Sequence, residues 1–159
     1  MIEGPYFTLT VLGALGTGLM AGVFCAFSTF VMRGLGSLPP TKAVAAMNAI
    51  NRAAPRPAFM IVFVGSAVLC AVLAVVTFVV WPEGATVELL VGSGLYLIGA
   101  FGVTVTANVP RNAALLKLEP GSEEANAYWR TYLREWTVWN HVRMVASAGA
   151  TLSYVLALT

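Results

Sequence analysis

Charged residues are sparse in this chain and divide it into long uncharged runs. Twenty-nine uncharged residues separate Glu3 from Arg33, 26 separate Arg56 from Glu83, 22 separate Glu88 from Arg111, and 16 follow Arg143. An α-helix rises about 1.5 Å per residue, so roughly 20 apolar residues cross the hydrocarbon of a bilayer. The first three runs each hold a whole span, placed near Phe7 to Met32, Phe59 to Trp81 and Glu88 to Asn108. The fourth run, at about 24 Å, falls short of the roughly 30 Å required. Its helix must extend back through Arg143, His141 and Asn140 towards Trp136, which carries polar side chains to the membrane edge or inside it. The predicted fold is all-α: an integral membrane four-helix bundle forming one domain over residues 1–159, with a short amphipathic helix between spans one and two and a helical extension preceding span four.

The connections set the orientation. Arg33, Lys42, Arg52 and Arg56 lie in the first, and Arg111, Lys117, Arg130, Arg134 and Arg143 in the third, so all nine basic residues fall on one side of the bilayer. The second connection carries only Glu83 and Glu88. The positive-inside rule makes connections one and three cytoplasmic and both termini external, in what is expected to be a bacterial plasma membrane. Between Pro39-Pro40 and Pro55 runs a helix-forming stretch whose apolar residues Val44, Met47 and Ile50 recur every third position, the pattern of a short helix lying on the membrane surface. The third connection turns at Glu119-Pro120-Gly121, restarts at Ser122 and is expected to be helical from Ala125 onward.

Composition sharpens this picture. With 58% hydrophobic and 10% charged residues and a mean hydropathy of +0.81, the chain lies far from the about 25% charged content of soluble domains, so lipid is its expected solvent and partner. A net charge of +2 with no basic cluster excludes nucleic acid as a partner. Cys25 and Cys70 sit in apolar runs and read as small buried hydrophobes, not as a disulfide framework or a zinc site. The start, Met-Ile-Glu-Gly-Pro, lacks the positive segment of a removable leader. Small residues recur every fourth position at Ala14, Gly18, Gly22 and Ala26, matched by Gly92, Gly99 and Gly102 in the third span and by Ala146, Gly149 and Ala150 in the fourth. They allow close helix packing either within one chain or in a homo-oligomer.

Two polar segments meet the same membrane depth: Asn108-Val-Pro-Arg-Asn112 closes the third span, and Trp136-Thr-Val-Trp-Asn-His-Val-Arg143 opens the fourth. On a helical wheel Trp136, Trp139, Asn140 and Arg143 share a face, while His141 projects about 100° away from Asn140. Each residue also has a structural explanation. Arg143 can snorkel to headgroups, Trp129, Trp136 and Trp139 with Tyr128 and Tyr132 can form an interfacial aromatic belt, and Asn108 and Asn112 can cap the third helix around Pro110. His141, the only histidine, can be a satisfied hydrogen bonder at the interface. Asn140 resists such a reading, because an amide inside the bilayer boundary is costly without a partner.

The pattern Asn-x-Pro-x-Asn-x-x-Leu at Asn108, Pro110, Asn112 and Leu115, followed by Trp-x-x-Trp-Asn-x-x-Arg at Trp136, Trp139, Asn140 and Arg143, resembles the anthrone oxygenase-like family of small integral membrane proteins. That resemblance implies a four-helix membrane protein and oxidation of an activated phenolic CH₂ by O₂ to a quinone, at a cytoplasmic-side pocket and without a cofactor. The chemistry needs a base and donors for a developing oxyanion. His141 is the candidate base, Arg143 and Asn140 complete the catalytic set, and Asn108, Arg111, Asn112, Trp136 and Trp139 are the candidate contacts for a flat, lipophilic substrate. A single histidine and the lack of a Glu-x-x-His pair exclude a di-iron bundle site, and no metal site is expected. The competing readings are a non-enzymatic membrane scaffold or partner subunit, and a membrane protein binding haem through one histidine or another small molecule.

Overall fold

The computed structural model describes residues 3–159, so Met1 and Ile2, the first residues of the segment inspected for a leader, lie outside the described residues. Five helices account for most of the described chain, which contains no strand: α1 (Gly4–Gly36), α2 (Pro40–Ala53), α3 (Pro57–Val80), α4 (Thr86–Leu116) and α5 (Glu123–Ala157). Helices α1, α3 and α4 are each long and apolar enough to cross a membrane. Proline opens α1, α2 and α3 within the first helical turn, where its missing N–H has no helical partner to lose. Ser122 caps α5 by accepting a hydrogen bond from the Ala125 amide at 3.1 Å, with Glu123 and Glu124 in the favourable first turn.

Helix α5 runs along α1 and α4, while α3 packs on α1 and on the first half of α4. The exterior is apolar: Leu19, Ile61, Val79, Ile98 and Val145 are all more than half exposed, an arrangement that lipid tolerates and water does not. Hence the chain is a small helical membrane protein. Close packing depends on glycines other than those of the first-span ridge. A Cβ on Gly99 would come within 2.5 Å of the Ala146 Cβ, and one on Gly16 would collide with Ser66, whereas Gly22 faces open space. Thus the tightest internal approaches of α1 are at Gly13 and Gly16, six or more residues before Gly22, while Gly18 makes only ordinary contact with Thr151.

Two expectations change. The amphipathic helix α2 does not lay its apolar side on headgroups. Ala43, Val44 and Met47 are buried against α5 and the end of α4, so α2 closes one end of the bundle. Of the residues expected as an interfacial belt, Trp129, Tyr132 and Trp136 do not form one either. Trp129, Tyr132 and Trp136 are buried and stack in succession, with ring centres 5.5 and 6.4 Å apart. Cys70 is buried as expected, but Cys25 is exposed on the outer face of α1.

Both α1 and α4 contain π-helical turns, at Phe27–Val31 in α1 and at Leu95–Gly102 and Thr104–Asn108 in α4. Such turns shift the helix register and often mark functional positions. Here they flank the same stretch of α5, around Asn140 and Arg143.

Candidate functional site

The inward face of α5 follows from its spacing. Tyr132, Trp136, Asn140, Arg143 and Ser147 are three or four residues apart, fall on one stripe, and are all buried. Asn140 is fully enclosed. Its amide donates to the Phe24 carbonyl at 2.8 Å and to the Ser28 hydroxyl at 2.7 Å, both on α1. The Phe24 carbonyl stands where α1 passes into its π turn, and Asn140 thereby finds a backbone acceptor inside the bundle. The Asn140 Oδ1 accepts from Arg143 Nη2 at 2.7 Å.

Arg143, 6% exposed, also donates from Nη1 to Thr104 Oγ1 at 3.1 Å. Thr104 can accept because its own hydroxyl proton goes to the Ala100 carbonyl at 2.8 Å. The guanidinium lies over the rings of Phe24 and Trp136, 4.3 and 5.0 Å from their centres. These contacts orient the cation without neutralising it, since the only ion pair among the described residues joins Arg111 to Glu135 at 2.9 Å. With five N–H groups and two hydrogen bonds, Arg143 retains donors, including an unpartnered Nε. A buried guanidinium lacking a carboxylate is costly unless an anion or strong acceptor joins it.

Nearer the α2 end of the bundle a second polar group forms around Asn112. Its Oδ1 accepts from Tyr132 Oη at 2.9 Å and Trp136 Nε1 at 2.8 Å, which sets the tilt of the indole. Burial pushes the Tyr132 pKa above its ordinary value, so the hydroxyl remains a neutral donor. Asn108 supports the same element by donating to the Trp136 carbonyl at 3.2 Å.

Between these groups lies a cavity of about 720 Å³, within the range of small-molecule sites. Phe24, Phe63, Phe101 and Trp136 supply aromatic wall, Arg143 and Asn140 line its deep end, and Met47 and Asn51 of α2 close the other. Helix α3 packs on α4 up to residue 102 and parts from it beyond, leaving an opening whose wall residues Met60, Val105 and Val109 are exposed on the apolar exterior. The cavity therefore opens sideways, towards the apolar surroundings of the helices.

The family model described as anthrone oxygenase matches residues 59–153, from the first turn of α3 to the last turns of α5. The chain belongs to the anthrone oxygenase family. Comparison with curated proteins and with solved structures brings no match. The anthrone oxygenase match includes Thr104, Asn112, Trp136, Asn140 and Arg143, whereas Phe24, Ser28 and Asn51 precede it.

Of the residues singled out in this anthrone oxygenase family member from sequence, Asn112, Trp136, Asn140 and Arg143 come together on the cavity. Asn108 is buried behind Trp136 and does not line it. Arg111 points to Glu135 and to the Ala107 carbonyl, 2.8 Å from Nη1, and takes no part in the wall. Trp139 and His141 are exposed on the other side of α5. The inward stripe steps from Trp136 by four to Asn140, which rotates Trp139 off its edge and leaves His141 a further 100° beyond Asn140. Asn140 and Arg143 face the bundle as expected, but their hydrogen-bond partners are Phe24, Ser28 and Thr104; Trp136 and Tyr132 are the residues that meet the Asn108 to Asn112 segment. Nor do Asn108 and Asn112 end the third helix, for α4 continues through Pro110 to Leu116. Sequence inspection missed Phe24, Ser28, Thr104 and Asn51. Thr104 carried one usable signal, a hydroxyl one turn before Asn108; the others carried none.

Proposed function

We propose that the protein is a membrane oxygenase that takes a lipophilic anthrone-like or phenolic substrate into this cavity and oxidises it with O₂, needing no cofactor. The carrying observation is Arg143, a buried cation without a carboxylate, placed at the deep end of an aromatic-walled cavity. An anthrone that loses a methylene proton becomes an enolate whose charge rests on oxygen. The guanidinium, held by Asn140 and Thr104 and stacked on Phe24 and Trp136, offers that oxygen fixed donors.

The electron-rich enolate carbon then joins O₂. With the return of one proton this gives a hydroperoxide, which loses water to leave the new carbonyl, so CH₂ and O₂ become C=O and H₂O. Among the polar residues on the cavity wall, Asn51, Thr104, Asn112, Asn140 and Arg143, none has the pKa of a general base near neutrality. On this reading the enzyme works by lowering the pKa of the bound substrate, and a water molecule taken in with the substrate carries off the proton. His141, exposed on α5, has no part in it.

The same reading places α5 as the fourth span from Trp136 onward, supported by the apolar, exposed Val138, Val142, Val145 and Leu152 on its outer face. It also places the α2 end on the cytoplasmic side of a bacterial plasma membrane and both termini outside, in keeping with the basic residues of the first and third connections. Oxygen uptake by protein purified in mild detergent tests the activity. One O₂ consumed per anthrone, with quinone formed, is the expected result; a rate equal to that of empty micelles overturns it.

A further inference from the structure

Arg143 is the one charged residue on the cavity wall, and the enolate of a substrate would meet it only during turnover. We infer that between turnovers the cavity binds a free fatty acid or a like single-chain lipid carboxylate, its head on the Arg143 guanidinium and its chain leaving through the opening between α3 and α4 into the bilayer. Such a ligand competes with the substrate and ties the activity to the lipid carboxylate content of the membrane. The binding rests on the geometry of the cavity, and the competition rests on the oxygenase reading.

Charge selects the head. Arg143 is 6% exposed, no glutamate lines the cavity, and the only ion pair among the described residues lies elsewhere, at Arg111 and Glu135. An enclosed cation of this kind is stabilised by an anion that a ligand brings in. Two of its five N–H groups go to Thr104 and Asn140, which leaves donors for a carboxylate oxygen. One cation balances one negative charge, so a phosphomonoester would keep charge unmet against an apolar wall. A phosphodiester lipid carries a single charge but flanks it with substituents on both sides. A carboxylate is a chain end and reaches a guanidinium at the bottom of a cavity.

The opening selects the chain. Met60, Val105 and Val109 at the mouth are exposed on the apolar exterior, so a small inorganic anion would cross that mouth at the full cost of dehydration. A lipid carboxylate keeps its chain in lipid throughout. Depth agrees with this source. On the topology proposed above, the 16 uncharged residues after Arg143 cover about 24 Å of roughly 30 Å of hydrocarbon, which leaves Arg143 about one helical turn from the cytoplasmic headgroups, where lipid carboxylates lie. Phe63 and Phe101 supply apolar wall, and an alkyl chain loses nothing in passing from lipid to such a surface. The head therefore decides the affinity.

Binding is measured with radiolabelled dodecanoate by scintillation proximity on the immobilised full chain in a mild non-ionic detergent, at about pH 8, where the carboxyl is ionised. One molecule should bind per chain. Unlabelled dodecanol should displace it roughly ten- to hundredfold more weakly than unlabelled dodecanoate, the scale of hydrogen bonds to a charged group. Acetate should not displace it at the same concentrations. Arg143→Met should lose the preference for acid over alcohol, and the wild-type comparison is decisive even if that variant fails to fold. Equal displacement by dodecanol, displacement by acetate as strong as by dodecanoate, or a preference kept in folded Arg143→Met overturns the inference. Stronger displacement by phosphatidylglycerol overturns it too, in favour of a phospholipid. In the oxidation assay dodecanoate should raise the KM for anthrone and leave kcat unchanged. Anthrone oxidation untouched by saturating dodecanoate would sink this inference alone, whereas dodecanoate binding without oxygen uptake would leave the site standing and sink the oxygenase reading.

Discussion

At Arg143 the geometry is demanding enough that charge alone will not substitute. The side chain must donate to Asn140 and Thr104 at once while lying flat between Phe24 and Trp136, which a planar fork accomplishes and a compact ammonium does not. Arg143→Met is expected to lower the rate of anthrone oxidation by about 10²- to 10³-fold, the usual loss for an oxyanion donor. Arg143→Lys should recover little of it, and oxygen-electrode rates on protein of unchanged melting temperature decide both. His141→Ala should oxidise anthrone at the wild-type rate, since the imidazole lies outside the cavity. A rate loss there would return proton abstraction to His141. The contrast shows what spacing in a sequence can and cannot convey. The three- and four-residue steps from Trp136 to Asn140 to Arg143 mark an inward stripe, but Trp139, also three from Trp136, satisfies the same arithmetic and faces outward. Which edge of a stripe is covered depends on where α1 and α4 lie, and that information belongs to the partners.

Individual helices were legible because bilayer thickness dictates their length and charges mark their ends: the expected span Phe59 to Trp81 became Pro57–Val80 with hardly a change. The π turns left no comparable mark. They arise in α1 and α4, whereas the polar residues that meet them, Asn140 and Arg143, come from α5, so the pattern along any one segment shows only half of the contact. For the same reason the amphipathic period of α2 was readable but not its surroundings, since a buried stripe and a lipid-facing stripe have the same spacing. The helix-to-helix approach is also set pairwise. Gly99 of α4 faces Ala146 of α5 so closely that any added side chain must push the two apart. Gly99→Val is therefore expected to lower the melting temperature in detergent by several degrees and to loosen the Arg143 to Thr104 contact one turn away. Gly22→Val, which meets nothing within the chain, should leave the melting temperature nearly unchanged.

Taken whole, the molecule gathers its basic residues towards the α2 end, together with Glu119, Glu123, Glu124 and Glu135. Lys42, Arg52 and Arg56 lie in or beside α2, while Lys117, Arg130 and Arg134 border the turn between α4 and α5 that faces it; Glu3, Glu83 and Glu88 lie at the opposite ends of the helices. Cytoplasmic retention of basic segments follows from the cost of translocating them, and no basic connection lies on the other side to compete. The expected topology is thus both termini outside, with the cavity in the cytoplasmic half of the bilayer. This depends on α5 crossing, which Asn140, His141 and Arg143, ahead of an uncharged run of only 16 residues, make invisible to hydropathy alone; the exposed valines and leucines from Val138 to Leu156 carry the argument instead. A reporter fused after Thr159 that functions only outside the cytoplasm should be active, and one placed between Leu118 and Ser122 should be silent. Activity in the reverse pattern would invert the whole assignment. A C-terminal reporter active only in the cytoplasm, with the Leu118 to Ser122 site also cytoplasmic, would instead mean that α5 packs beside the spans without crossing. Arg143 would then sit at an aqueous boundary, where its missing carboxylate costs little, and the case for an enolate-binding cation would lose its physical basis.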